Sequence, residues 1–200
     1  MKYRDISETI IRLKNSDIEF RNILISTGRL GTGYNEKIAE PHEKNTSILS
    51  AIIDEIGYPT IDKVGKEASS AAWLIIQHSI GKPDFMKKCA EILKSLIGVE
   101  KEYHRNYAYL TDRIAVFEDR PQLYGTQFDW DENGELSPNR FDDLTKVNQR
   151  RKSIGLNTLE EQTRIMRRKA ENQSPPSDLK RRKEEFDRWR MSTGWISRGT

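Results

Sequence analysis

Ala71 to Ile76 reads AAWLII, the longest apolar run in the chain, set within EASSAAWLIIQHSI. Its length predicts a helix from about Val64 to Ile80, which Gly81 and Pro83 end. A helix that is apolar all round offers no face to water, so it must lie at the centre of the fold with other elements around it. Six residues are far too few to span a bilayer, and the opening MKYRDISETI has no apolar core of signal-peptide length. The lone Cys89 excludes an intramolecular disulfide. These features predict a cytoplasmic protein without a membrane partner.

The pattern around this run is also mostly helical. Ile6, Ile10, Leu13, Phe20 and Leu24 recur at roughly helical intervals in SETIIRLKNSDIEFRNILI, and Ile48, Leu49, Ile52 and Ile53 mark one side of a helix over Asn45 to Ile56. Gly57 stands where a left-handed C-terminal cap belongs. Further helices are expected over Asp84 to Ile97, Tyr103 to Val116, Asp143 to Ser153, and Asp178 to Met191. Another starts at Thr158, which with Glu161 makes a capping-box pattern, and runs to about Glu171. Helical period disappears between residues 117 and 138, where aromatic and Thr residues alternate before Asn133-Gly134, a strong hairpin-turn signal. The fold class is therefore mainly α (α+β): a single helical domain with a central buried helix and a small β-hairpin region around residues 117–138. With 200 residues, the chain is read as an N-terminal helix over 1–27, a core domain over 28–173, and a C-terminal helical extension over 174–200 packed on the core, after the SPPS linker. Its 35% hydrophobic and 32% charged residues imply a modest core under much solvated helix surface.

Charge is unevenly distributed. Residues 1–139 carry 18 Lys and Arg against 22 Asp and Glu, a net −4, whereas residues 140–200 carry 16 against 9, a net +7. Basic triplets at 150–152, 167–169 and 181–183 account for much of the excess, and interleaved Glu160, Glu161, Glu184, Glu185 and Asp187 make surface pairing available. Such clusters are what nucleic acid or an acidic protein would meet.

Tyr109 to Gly134 crowds Asp112, Arg113, Arg120, Gln122, Tyr124, Thr126 and Gln127 between apolar anchors, more hydrogen-bonding side chains than a purely structural loop needs. Gln77-His78 closes the central helix, and buried polar groups there must find partners. An imidazole in that place suits general acid or base work near neutral pH. The candidate catalytic residues are thus His78 and Asp112, with Asp112 orienting His78 or pairing with Arg113. The candidate ligand-binding residues are His42, Arg113, Gln122, Tyr124, Gln127 and Arg151, suited to a polar or anionic small molecule.

Spacing supports no metal site. Glu67 and His78 share a helix face but stand about 16 Å apart at ~1.5 Å per residue, and no HxxxH or CxxC occurs. Another distant residue such as His42 or Asp112 would have to join His78. Asp129, Asp131, Asn133 and Gly134 match the first half of a calcium loop, but Arg140 stands where the bidentate Glu belongs, so a hairpin turn with solvated acids is favoured. Gly28, Gly31 and Gly33 meet neither phosphate-loop nor dinucleotide patterns and read as a flexible loop. No cofactor is specified.

Several fragments together carry a resemblance: His42 with Asn45, Gly57-Tyr58-Pro59, Val64-Gly65, Ala71-Ala72-Trp73-Leu74 with Gln77-His78, and Tyr109-Leu110-Thr111-Asp112-Arg113. So do Gln122 with Tyr124-Gly125-Thr126-Gln127, Arg150-Arg151 before Gly155-Leu156, and, towards the end, Pro175-Pro176, Asp178, Trp189 and Gly194-Trp195. In this combination the chain resembles a bacterial family known only as a domain of unknown function. The resemblance implies kinship and bacterial origin, and draws attention to shared polar residues without supplying a mechanism.

Overall fold

The computed structural model describes residues 2–26 and 36–197. The Gly28, Gly31 and Gly33 loop lies outside the described residues. Nine helices and one two-stranded antiparallel sheet are present among the described residues, so the chain is mainly helical with a small β element, as the periodicities require. Contacts group the chain into two units, Met1–Ile92 and Leu93–Thr200.

The first unit contains α1 (Arg4–Ser26), α2 (Glu36–Ile56), α3 (Ile61–Val64), α4 (Lys66–His78) and most of α5 (Pro83–Ser95). α4 is its central helix, packed against α1, α2 and α3. Ala68, Ala71 and Ala72 are buried on α4 beside Ile75 and Ile76, so small side chains admit the neighbouring helices closely. Trp73 and Leu74, in the same apolar run, are only half-buried. Ile10 and Leu13 of α1, and Leu49, Ile52, Ile53 and Ile56 of α2, complete the core. Each fully buried side chain of this size contributes about 1.5–3 kcal/mol.

Two helix boundaries differ from the sequence pattern. α2 begins at Glu36 rather than near Asn45 and carries Pro41 inside it. Gly65, at φ +81°, separates α3 from α4 where one continuous helix from Val64 is expected. A glycine tolerates that positive φ, and a side chain there would be strained. Gly57 caps α2 at φ +72° as expected, its N–H donating to Ile53 O at 2.9 Å. Lys63 Nζ donates to the nearby carbonyls of Ile56 and Tyr58 at 2.5 and 3.2 Å.

The second unit comprises α6 (Lys101–Phe117), β1 (Phe128–Trp130), β2 (Leu136–Pro138), α7 (Leu144–Ser153), α8 (Leu159–Lys169) and α9 (Leu179–Thr193). β1 and β2 pair in register Phe128↔Pro138, Asp129↔Ser137 and Trp130↔Leu136. Asp131 closes their turn, Oδ1 accepting from the N–H groups of Asn133 and Glu135 and Oδ2 from the Ser137 hydroxyl. The acids of the partial calcium-loop pattern thus serve the hairpin, and Asp129 receives Arg182 from α9 at 2.7 and 2.8 Å. Thr158 and Glu161 form the full reciprocal capping box at the start of α8. α9 is held by an aromatic cluster in which Phe117 meets Phe186, Trp189 and Trp195, and by Arg190 Nη1 donating to Phe117 O at 3.3 Å.

Candidate functional site

Six of the eight site residues expected from sequence lie in the second unit, where they join α6 to the segment between α6 and β1. Asp112 is fully buried, and its carboxylate accepts three backbone N–H groups: Leu123 (2.8 Å) and Tyr124 (3.1 Å) on Oδ1, Thr126 (2.9 Å) on Oδ2. Burial pushes the Asp112 carboxyl up, against those three donors, which favour its charged form. Gln122, also fully buried, acts as a surrogate strand. Its amide donates to the carbonyls of Gln127 (3.1 Å) and Asn139 (2.9 Å) and accepts from Gln127 N (2.8 Å).

Arg113 Nε donates to the side-chain oxygen of Gln127 at 3.1 Å, and burial lowers the pKa of its guanidinium. Arg151, 2% exposed, spreads its fork over Asn157 O (2.6 Å), Asn157 Oδ1 (3.0 Å), Tyr124 O (2.8 Å) and Gly125 O (3.3 Å). The Tyr124 ring belongs to an apolar cluster with Ala108 and Ile154. Gly125 passes close under Leu159: a Cβ there would stand 2.8 Å from Leu159 Cδ1, at a φ of +62°. These bonds fix the 122–127 segment, and they engage much of the polar capacity that its sequence advertises.

His42 and His78 lie in the first unit, and the carboxylate that meets them is Asp17's. Asp17 comes from the middle of α1, His42 from the early turns of α2, and His78 is the last residue of α4. His78 Nδ1 stands 2.5 Å from Asp17 Oδ2, and His42 Nε2 stands 3.2 Å from Asp17 Oδ1. The two rings are tilted with centroids 5.3 Å apart. The Asp17 side chain is 2% exposed, whereas those of His42 and His78 retain 16% and 24%. Burial alone would raise the Asp17 carboxyl, but hydrogen bonds with His42 and His78, and their charge when protonated, outweigh it and hold Asp17 well below the usual carboxylate range. The result is a buried carboxylate that stays ionised beneath two partly exposed imidazoles.

Neighbouring polar groups hold the three helices in this arrangement. Asn45 Nδ2 donates to Leu13 O at 3.3 Å, tying α2 to α1 one turn from Asp17. Thr46 and Ser79, both buried, share a 2.7 Å hydrogen bond from α2 to the end of α4. Each hydroxyl has a single proton, so one donates to the other while the second turns to its own helix, Thr46 towards His42 O (2.7 Å) or Ser79 towards Ile75 O (2.8 Å). Lys82 and Glu43 add an ion pair at 2.9 Å.

Sequence reasoning singled out both histidines but not Asp17. A signal was present: Ile10 and Leu13 set the buried stripe of α1, and the stripe's next turn falls on residue 17, where the chain carries a carboxylate. A charged residue on the apolar stripe of an amphipathic helix needs a buried partner.

The architecture defines a mainly helical protein with a buried Asp–His–His cluster on three helices of its first unit. The chain belongs to the DUF6624 family, a family of unknown function, whose model matches residues 7–171. That span includes all three residues of the cluster and the Asp112 network. No curated protein and no solved structure shows a significant match.

Proposed function

We propose that this protein binds and acts on a polar or anionic small molecule, with Asp17, His42 and His78 as its reactive centre. One observation supports the reading above the rest: a single buried carboxylate holds two partly exposed imidazoles, one on each oxygen. Burying an unprotonated carboxylate is costly, and perturbed groups paired with partly exposed imidazoles are common at functional sites. Asp17 sets the orientation of His78 by accepting from its Nδ1 and stabilises the imidazolium when His78 takes a proton. His78, the more exposed ring, exchanges a proton with the small molecule, while His42 holds the other carboxylate oxygen of Asp17 through Nε2. The Asp112 network acts as the scaffold of the second unit.

The test uses the three histidine rings as reporters, His104 in the second unit serving as internal control. Full-length protein, both as purified and after chelator treatment, is titrated with a panel of small carboxylates, phosphates and amides while imidazole nitrogen resonances are followed by NMR. At least one class is expected to shift His42 and His78 together, saturably, and to lose that effect in a folded His78→Gln variant. Uniform shifts that include His104, or no shift with any class, would remove the support for this reading.

A further inference from the structure

We infer that the Asp17–His42–His78 cluster is a binding site for a divalent first-row transition metal ion of the zinc type. The inference rests on the preceding reading that these three residues form the reactive centre, and with the ion bound His78 is a ligand rather than the group that exchanges a proton. One ligand atom from each residue lies within 4.8 Å of the other two. Two imidazole nitrogens and one carboxylate are a donor set that zinc and related ions take, and three protein ligands leave a coordination position open.

The distances fit with little movement. Ligands about 2.0–2.1 Å from a tetrahedral ion stand about 3.3 Å from one another. His42 Nε2 and Asp17 Oδ1 are already 3.2 Å apart, whereas His78 Nδ1 is hydrogen-bonded to the other oxygen at 2.5 Å and has to reorient to share the ion. With all three ligand atoms within 4.8 Å of one another, that is a side-chain adjustment for a residue at the end of its helix. When the ion enters, the proton between His78 Nδ1 and Asp17 moves to Nε2 or leaves for solvent, and the Nδ1 lone pair becomes the metal donor. Asp17, ionised throughout, supplies charge compensation. An oxygen of a polar or anionic small molecule takes the open position, where the ion polarises it.

Supporting groups match what a metal centre needs. Ligand geometry is kept by neighbours that tie the ligand-bearing elements together, and here Asn45, Thr46 and Ser79 link α1, α2 and α4 within a turn of the three donors. The carboxylate is buried while both imidazole side chains remain partly exposed.

The experiment titrates chelator-treated full-length protein with zinc chloride alone by calorimetry, and separately with cobalt(II), followed by visible absorption and by NMR of the histidine rings. The expected result is one zinc per chain, the intense absorption of four- or five-coordinate cobalt, and paramagnetic loss of the His42 and His78 signals while His104 persists. His42→Gln, His78→Gln and Asp17→Asn are each expected to weaken zinc binding by about 100-fold or more, and His104→Gln to leave it unchanged. The cobalt broadening needs no variant, so misfolding of a substituted chain does not leave the question open. No zinc bound by the wild type, binding that His104→Gln weakens equally, or broadening that spares His42 and His78 would overturn the inference. Because the small-molecule titration is also run on chelator-treated protein, its success there without zinc binding would retain the proposed function and discard only the metal.

Discussion

Asp17 is the residue on which the candidate site depends. Its folded pKa lies below the ordinary 3.8, so ionisation of Asp17 stabilises the folded state at pH values above 3.8, and that contribution is lost as the pH falls towards the depressed folded value. The stability difference between wild type and Asp17→Asn is therefore expected to be larger at pH 5 than at pH 2, shrinking on acidification between them, measured by thermal or urea unfolding at each pH. A difference that grows on acidification would contradict the ion-pairing account. Cys89 illustrates the opposite case. Burial pushes its thiol up to about 12, so almost no thiolate exists near neutrality, and the residue serves as a small apolar side chain of α5.

At the scale of elements, the stretch between α6 and β1 makes a single β-bridge, Gln122 with Phe141, and is otherwise shaped largely by hydrogen bonds to side chains. Asp112 takes three of its backbone donors and Gln122 stands in for a neighbouring strand. Asp112→Asn replaces one accepting oxygen with an amide that points donors at donors. It is expected to destabilise the folded state by about 2–3 kcal/mol, read as a lower urea midpoint with an unchanged slope. A near-neutral effect would mean that the segment is held by its apolar anchors, Tyr124 above all. The polar density of residues 109–134 was legible in the sequence, but its employment was not: side chains that bond to carbonyls and N–H groups of their own unit are the same residue types that bond to ligands. The hairpin, the Gly57 cap and the Thr158–Glu161 box were legible because each depends on residues a few positions apart.

On the scale of the whole molecule, the basic C-terminal third has fewer uncommitted charges than its net +7 suggests. Arg167 pairs with Glu135 and Arg182 with Asp129, acids outside residues 140–200 and so not counted in that net, while Arg151 is buried among carbonyls. Binding of duplex DNA by the full chain is accordingly expected to be weaker than about 100 μM at physiological salt, measured by fluorescence anisotropy. Micromolar binding with a steep salt slope would instead favour the interaction-module reading, with nucleic acid or an acidic protein as partner. No helix among the described residues is long and apolar enough to cross a membrane. What the sequence by itself determined is the helical character, the central apolar helix and the hairpin, because period, caps and turns are written in neighbours along the chain. Only the tertiary structure decided that Asp17 meets His42 and His78, the latter 61 residues away, because the packing of α1, α2 and α4 sets which stripe positions face one another. A helix face records that a partner is needed, and packing selects which one.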